Sequence, residues 1–102
     1  MWSRRYFFNY KNIERVPDQI VGVYSFWSRN ICIYVGKAKG QPLRKRLEQH
    51  YMNCHNENLR LWLASSHKIE FKYNPIKSKD LIDVTERKTI KDFAPLANKI
   101  HN

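Results

Sequence analysis

The sequence predicts an α+β domain, a small antiparallel sheet with helices packed on it. Three observations predict it. Two β-prone runs, IVGVYSFW at 20–27 and ICIYV at 31–35, are separated only by Ser28, Arg29 and Asn30, which signals a hairpin. HKIEFKYN at 67–74 alternates, with Ile69, Phe71 and Tyr73 to one side and Lys68, Glu70 and Lys72 to the other, as a half-buried strand does. Between and after these runs, apolar residues recur at helical spacing. The expected order is β, β, α, α, β, α after an N-terminal arm.

Residues 1–19 form that arm, aromatic and basic, and close with the turn signal Val16-Pro17-Asp18-Gln19. Trp2, Tyr6, Phe7, Phe8 and Tyr10 stand among Arg4, Arg5 and Lys11. Such residues either stack on nucleic-acid bases or fold back to complete a small core. Folding back is the expectation, because exposed aromatic patches are uncommon on soluble domains. In the hairpin, a three-residue loop at Ser28–Asn30 sets Trp27 opposite Ile31, Tyr24 opposite Tyr34 and Gly22 opposite Gly36. Two phenols then meet on one face. Gly36 is expected to end the strand and to let another group approach the backbone.

Pro42 suits the first turn of a helix. Leu43, Leu47 and Tyr51 follow at i, i+4, i+8 as its apolar stripe, and Arg46 and His50 form a second i, i+4 pair. A second helix is expected at 57–64, capped by Asn56, with Leu59, Trp62 and Leu63 inward. His67 reads as a turn residue. The last helix should begin near Ser78 or Asp80 and stop before Pro95. Ile82, Thr89, Ile90 and Phe93 line its apolar stripe, and Glu86 falls within it. A lone carboxylate there needs a partner, either a basic side chain or a hard cation held with water and phosphate.

The totals bound the function. The chain has 102 residues, enough for one domain with a modest core. Nineteen basic against nine acidic residues give a net charge of +10, which points first to nucleic acid and second to an anionic membrane surface. No apolar run is long enough to span a bilayer, and the first residues lack the pattern of a signal peptide, so an intracellular protein is expected. Cys32 and Cys54 then read as free thiols. GKAKGQP lacks the Gly-Lys-Ser/Thr of a phosphate-binding loop. His50, Cys54 and His55 lack zinc-ligand spacing, and no serine or cysteine sits in a nucleophile motif. The basic cluster Lys37, Lys39, Arg44, Lys45 and Arg46 is either a solvated helix face or a phosphate-binding surface.

Four motifs, taken together, carry a resemblance. Gly22-Val23-Tyr24, then nine residues, then Tyr34-Val35-Gly36 resembles the paired motif of the GIY-YIG nuclease family, with valine for both central isoleucines. YVGKAK followed by LRKRLEQHY resembles the family's arginine-bearing first helix. Glu86, with Pro95 and Asn98 behind it in ERKTIKDFAPLAN, resembles its glutamate motif. The match spans residues 20–100. It implies a three-stranded antiparallel sheet flanked by helices, and cleavage of phosphodiester bonds in DNA with a divalent metal, Mg²⁺ with Mn²⁺ as substitute.

By position, the resemblance makes Tyr24 and Tyr34 the active-site phenols. Arg46 becomes the phosphate-binding arginine, His50 the second helix residue, Glu86 the metal ligand and Asn98 the late polar residue. Lys37 lies where it would favour a Tyr34 phenolate. KGQP lengthens the link from Gly36 to the helix by two residues, which leaves Arg44 as a rival to Arg46. Lys37, Lys39, Arg44, Lys45 and Arg46 are the expected DNA contacts. The alternatives are a module of the same fold that binds nucleic acid without cutting, and a basic interaction domain. Specificity would come from the arm, from a homodimer or from a partner protein.

Overall fold

The computed structural model describes residues 1–65 and 67–101. Its elements are β1 (Tyr6–Phe7), α1 (Tyr10–Ile13), β2 (Gly22–Ser28), β3 (Ile31–Ala38), α2 (Leu43–Met52), α3 (Glu57–Ala64), β4 (Glu70–Pro75) and α4 (Lys79–Phe93), closed by a 3₁₀ turn at Leu96–His101. The class is α+β as expected, but the sheet has four strands, not three, in the order β1-β4-β2-β3. The fourth strand comes from the arm. Tyr6 and Phe7 pair antiparallel with Phe71 and Glu70. Before and after them, Ser3 N–H donates to the Tyr73 carbonyl at 2.7 Å and Phe8 N–H to the Ile69 carbonyl at 2.8 Å. These bonds cover an edge that β4 would otherwise leave open.

β2 is central and buried on both faces, which explains its near-continuous apolar run. On one face Tyr24, Phe26 and Phe71 pack with Ile13 of α1, Leu43 and Leu47 of α2 and Leu59 of α3. On the other, Val23, Trp27 and Val35 pack with Ile82, Ile90 and Phe93 of α4. The arm aromatics largely fold back: the Phe8 ring lies 4.8 Å from Phe26, and Trp2 lies 5.7 Å from Phe93. Phe7 and Tyr10 remain exposed.

The helix caps follow the sequence. Asn56 accepts from Leu59 N–H, and Ser78 accepts from Leu81 N–H. α4 ends on Ala94, whose φ of 47° is left-handed, just before Pro95. One inward position differs in α2. Tyr51 is exposed, and His50 is buried with Leu43 and Leu47.

The hairpin register differs too. Tyr24 pairs with Gly36 and Phe26 with Tyr34, two residues away from the expected pairing. The connection is the two residues Arg29 and Asn30, with Arg29 at φ 55°, and an irregularity lets Ile33 fall between the paired residues of β3. Beyond the irregularity the displacement is two residues, which keeps side chains on their faces, so both phenols still share one face, now on a diagonal with rings 6.3 Å apart. Gly36 does not end β3. The strand runs on to Ala38, and the group that approaches Gly36 closely is the Tyr24 ring.

Candidate active site

The site forms where the carboxyl half of β3 meets α2 and α4. Tyr24 rises from the middle of β2 and lies across β3, over Gly36. A Cβ at position 36 would fall well inside 3.0 Å of the phenol oxygen and of the ring carbon that bears it. Only glycine therefore leaves room for this phenol. It is fully buried, and its oxygen lies 2.6 Å from His50 Nε2. His50 Nδ1 in turn lies 3.4 Å from Cys54 Sγ. Tyr34, diagonal to Tyr24 on the same face, is less buried, and its ring centroid is 5.7 Å from that of His50.

The electrostatics tie these groups to Arg46 and Glu86. Burial pushes the Tyr24 phenol well above its ordinary pKa; the neighbouring Tyr34 adds to this, and Arg46 opposes it. Tyr34 is raised by burial as well, with Arg46 lowering and Glu86 raising it. His50 is pushed down to about 4, first by burial and then by the Arg46 charge, so the imidazole is neutral at pH 7. Arg46 Nη1 donates to Gln49 Oε1 at 3.1 Å, and Gln49 exchanges hydrogen bonds with Gln41 at 3.0 Å. The longer KGQP link thus supplies a residue that steadies the arginine's partner.

Arg44 points elsewhere. Its Nε donates to the Val16 carbonyl at 2.8 Å, tying α2 to the N-terminal segment. Lys45 lies with Tyr10, Glu48, Gln49 and Met52 around a surface cavity of about 340 Å³. Lys37 also departs from expectation. It leaves β3 on the face opposite the phenols, and its Nζ donates to Asp83 at 2.8 Å and lies 3.5 Å from Glu86. Lys39 reaches the other oxygen of Asp83 at 2.6 Å. The cation that acts on both phenols is therefore Arg46, because successive strand residues project to opposite faces.

Asn98 turns its amide to the backbone of Val35, accepting from its N–H at 2.9 Å and donating to its carbonyl at 3.0 Å. β3 is an edge strand, so this side chain supplies the ladder partner that the edge lacks, directly beside Tyr34. Two neighbours were not singled out from sequence as site residues. Asp83 is three before Glu86 on one face of α4, whereas Cys54 lies two residues past the end of α2 and returns to His50 from outside the helix.

Among the described residues no three His, Cys, Asp or Glu side chains cluster as a metal cage. What the site offers is one partly buried carboxylate, Glu86, with only a long contact to Lys37. A single carboxylate completed by water and phosphate oxygens suits Mg²⁺ or Mn²⁺ and does not suit zinc.

The model of the GIY-YIG catalytic domain matches residues 20–101, and the chain belongs to that family. Among solved structures it is similar to the GIY-YIG N-terminal endonuclease domain of UvrC from Thermotoga maritima, bound to its catalytic divalent cation, magnesium. The identity is 21% over 87% of this chain and 98% of that one, with a TM-score of 0.67. A tyrosine-to-phenylalanine variant of that domain matches at 22% identity, over 85% of this chain and 90% of that one, with a TM-score of 0.65. At these identities the likeness speaks for the fold. No curated protein sequence matches the chain. No helix among the described residues is long and apolar enough to cross a membrane.

Proposed function

We propose that this chain is a divalent-metal-dependent DNA endonuclease that hydrolyses phosphodiester bonds. The observation that carries the reading is the buried contact of the Tyr24 hydroxyl with His50, with Arg46 and Glu86 both acting on the phenol pair. The net charge of +10 supports a polyanionic substrate.

Glu86 holds Mg²⁺ or Mn²⁺ in this reading, and the cation, when bound, offsets charge on the scissile phosphate and the leaving oxygen. Tyr34, the more accessible phenol, takes a proton from the attacking water. The water oxygen then forms its bond to phosphorus as the bond to the leaving oxygen breaks. Burial alone makes Tyr34 a poor base, so the Arg46 charge is needed to favour its phenolate. Arg46 also faces the charge that builds on the phosphate oxygens. Tyr24, held by His50, orients the second phenol beside the first. Lys37 and Lys39 hold Asp83, and Lys37 also lies beside Glu86. Asn98 fixes the backbone that carries Tyr34.

The test is nicking of supercoiled plasmid with Mg²⁺, with Mn²⁺ and with chelator, run beside Glu86→Gln. The expected result is metal-dependent cutting that the variant loses while it keeps its fold and its salt-dependent DNA affinity. DNA binding without cutting under any metal would favour a binding module of the same fold. Loss of folding in Glu86→Gln would make the carboxylate a structural ion-pair partner of Lys37.

A further inference from the structure

We propose that Cys54 is a positioning residue: its sulfur accepts the Nδ1–H of His50 and so fixes the imidazole in the tautomer whose Nε2 accepts the Tyr24 hydroxyl proton. The inference deepens the reading of Tyr24 and His50 as site residues, but it concerns where protons sit in the resting protein and holds whether or not the domain cuts DNA.

The three side chains meet in a dry place, where each proton needs an acceptor from the protein. Tyr24 is fully buried, His50 is 5% exposed and Cys54 is 8% exposed, so water does not supply partners freely. Three contacts form a line: Tyr24 Oη to His50 Nε2 at 2.6 Å, His50 Nδ1 to Cys54 Sγ at 3.4 Å, and Cys54 Sγ to the Asn56 carbonyl at 3.6 Å. A neutral imidazole carries one N–H and one acceptor nitrogen.

Suppose the proton is on Nδ1. Tyr24 O–H donates to Nε2, Nδ1–H donates to the sulfur, and the thiol donates to the Asn56 carbonyl. Every proton has an acceptor. Suppose instead that it is on Nε2. His50 then donates to the phenol oxygen, whose one side-chain hydrogen-bond partner among the described residues is that same ring nitrogen. The Tyr24 hydroxyl proton would be left without an acceptor in the core, which is unfavourable. The buried side-chain oxygen of Tyr24 and both ring nitrogens of His50 each have a partner within reach.

The chain is built for this contact. α2 ends at Met52, Asn53 leaves helical geometry, and the next residue returns its sulfur beneath the ring of the last turn. The Asn56 carbonyl that takes the thiol proton belongs to the residue that caps α3. Partners on the far nitrogen of a working histidine commonly set its tautomer in this way.

Long-range ¹H–¹⁵N spectra of histidine-labelled protein at pH 7 test the proposal, with the His50 signal assigned among the four histidines from its loss in His50→Gln. The expected result is a single Nδ1–H tautomer, with well-separated ring ¹⁵N shifts. Cys54→Ala should draw those shifts together as the tautomers mix, and Cys54→Ser, which keeps an acceptor, should retain the parent pattern. An Nε2–H tautomer in the parent overturns the proposal. So does an unchanged pattern in Cys54→Ala, or a serine variant that behaves as the alanine does. If the alanine variant does not fold, the parent and serine spectra still decide. None of these measurements uses nuclease activity, so its failure would not be confused with theirs.

Discussion

Gly36→Ala isolates the packing that creates the site. The added Cβ would stand 2.9 Å from Tyr24 Cε2, about 0.5 Å inside ordinary van der Waals contact, and closer still to Cζ and the hydroxyl. None of these atoms is a free end. The ring is fully buried among Phe26, Tyr34 and His50, at centroid distances of 5.8, 6.3 and 5.4 Å. Overpacking one methyl into such a place costs about 1–3 kcal/mol. In a domain of this size that lowers the melting midpoint by about 4–8 °C per kcal/mol. Urea unfolding measures it, and the same change in a Tyr24→Leu background supplies the control. Leucine lacks Cε2, Cζ and the hydroxyl, so there the alanine should be nearly neutral. A loss below about 0.5 kcal/mol in the parent, or an equal loss in both backgrounds, would refute the claim that Gly36 exists to admit the Tyr24 phenol.

Arg46→Ala should lower cleavage about 10²–10³-fold, whereas Arg44→Ala should leave the chemical step intact and lower the unfolding midpoint, because Arg44 bonds Val16; single-turnover kinetics beside thermal melts separate the two. His50 carries a pH signature. Its folded pKa, near 4, lies below its ordinary 6.5, so protonation favours the unfolded chain. The associated stability is complete above pH 6.5 and is lost as pH falls toward 4, by up to about 3 kcal/mol. Urea titrations from pH 7 to 4 should show this loss, and His50→Gln should flatten it. Asp83 acts in a lower window: its bonds to Lys37 and then Lys39 hold its carboxyl at about 2, below the ordinary 3.8. That stability is present above pH 3.8 and fades as pH falls through 2, so Asp83→Asn should melt earlier than the parent at pH 6, with the gap closing in acid. A gap that persists at pH 2 would contradict the ion-pair account.

What the sequence determined by itself was local. Asn56 and Ser78 cap helices where they stand because each cap bonds an amide three residues away. The alternation through Ile69, Phe71 and Tyr73 names a strand and its buried side without knowledge of a neighbour. The same-face pairing of Tyr24 with Tyr34 survived a two-residue error in register because side chains alternate with a period of two. The match of Tyr24, Tyr34, Arg46 and Glu86 to one family followed from their order along these elements.

What only the tertiary structure decided was non-local. The sequence contains nothing that says Tyr6 and Phe7 will add to β4, because the bonds that make them a strand belong to Phe71 and Glu70. Arg44 and Arg46 both stand on α2, yet one bonds the Val16 carbonyl and the other Gln49, which no spacing along the chain distinguishes. Lys37 adjoins Gly36 in sequence yet serves the carboxylates of α4, since its strand sends it to the opposite face. Gly36 is required by a ring twelve residues earlier in the chain. Composition and periodicity report what a residue can bury; which partner fills the space is settled only when the elements pack.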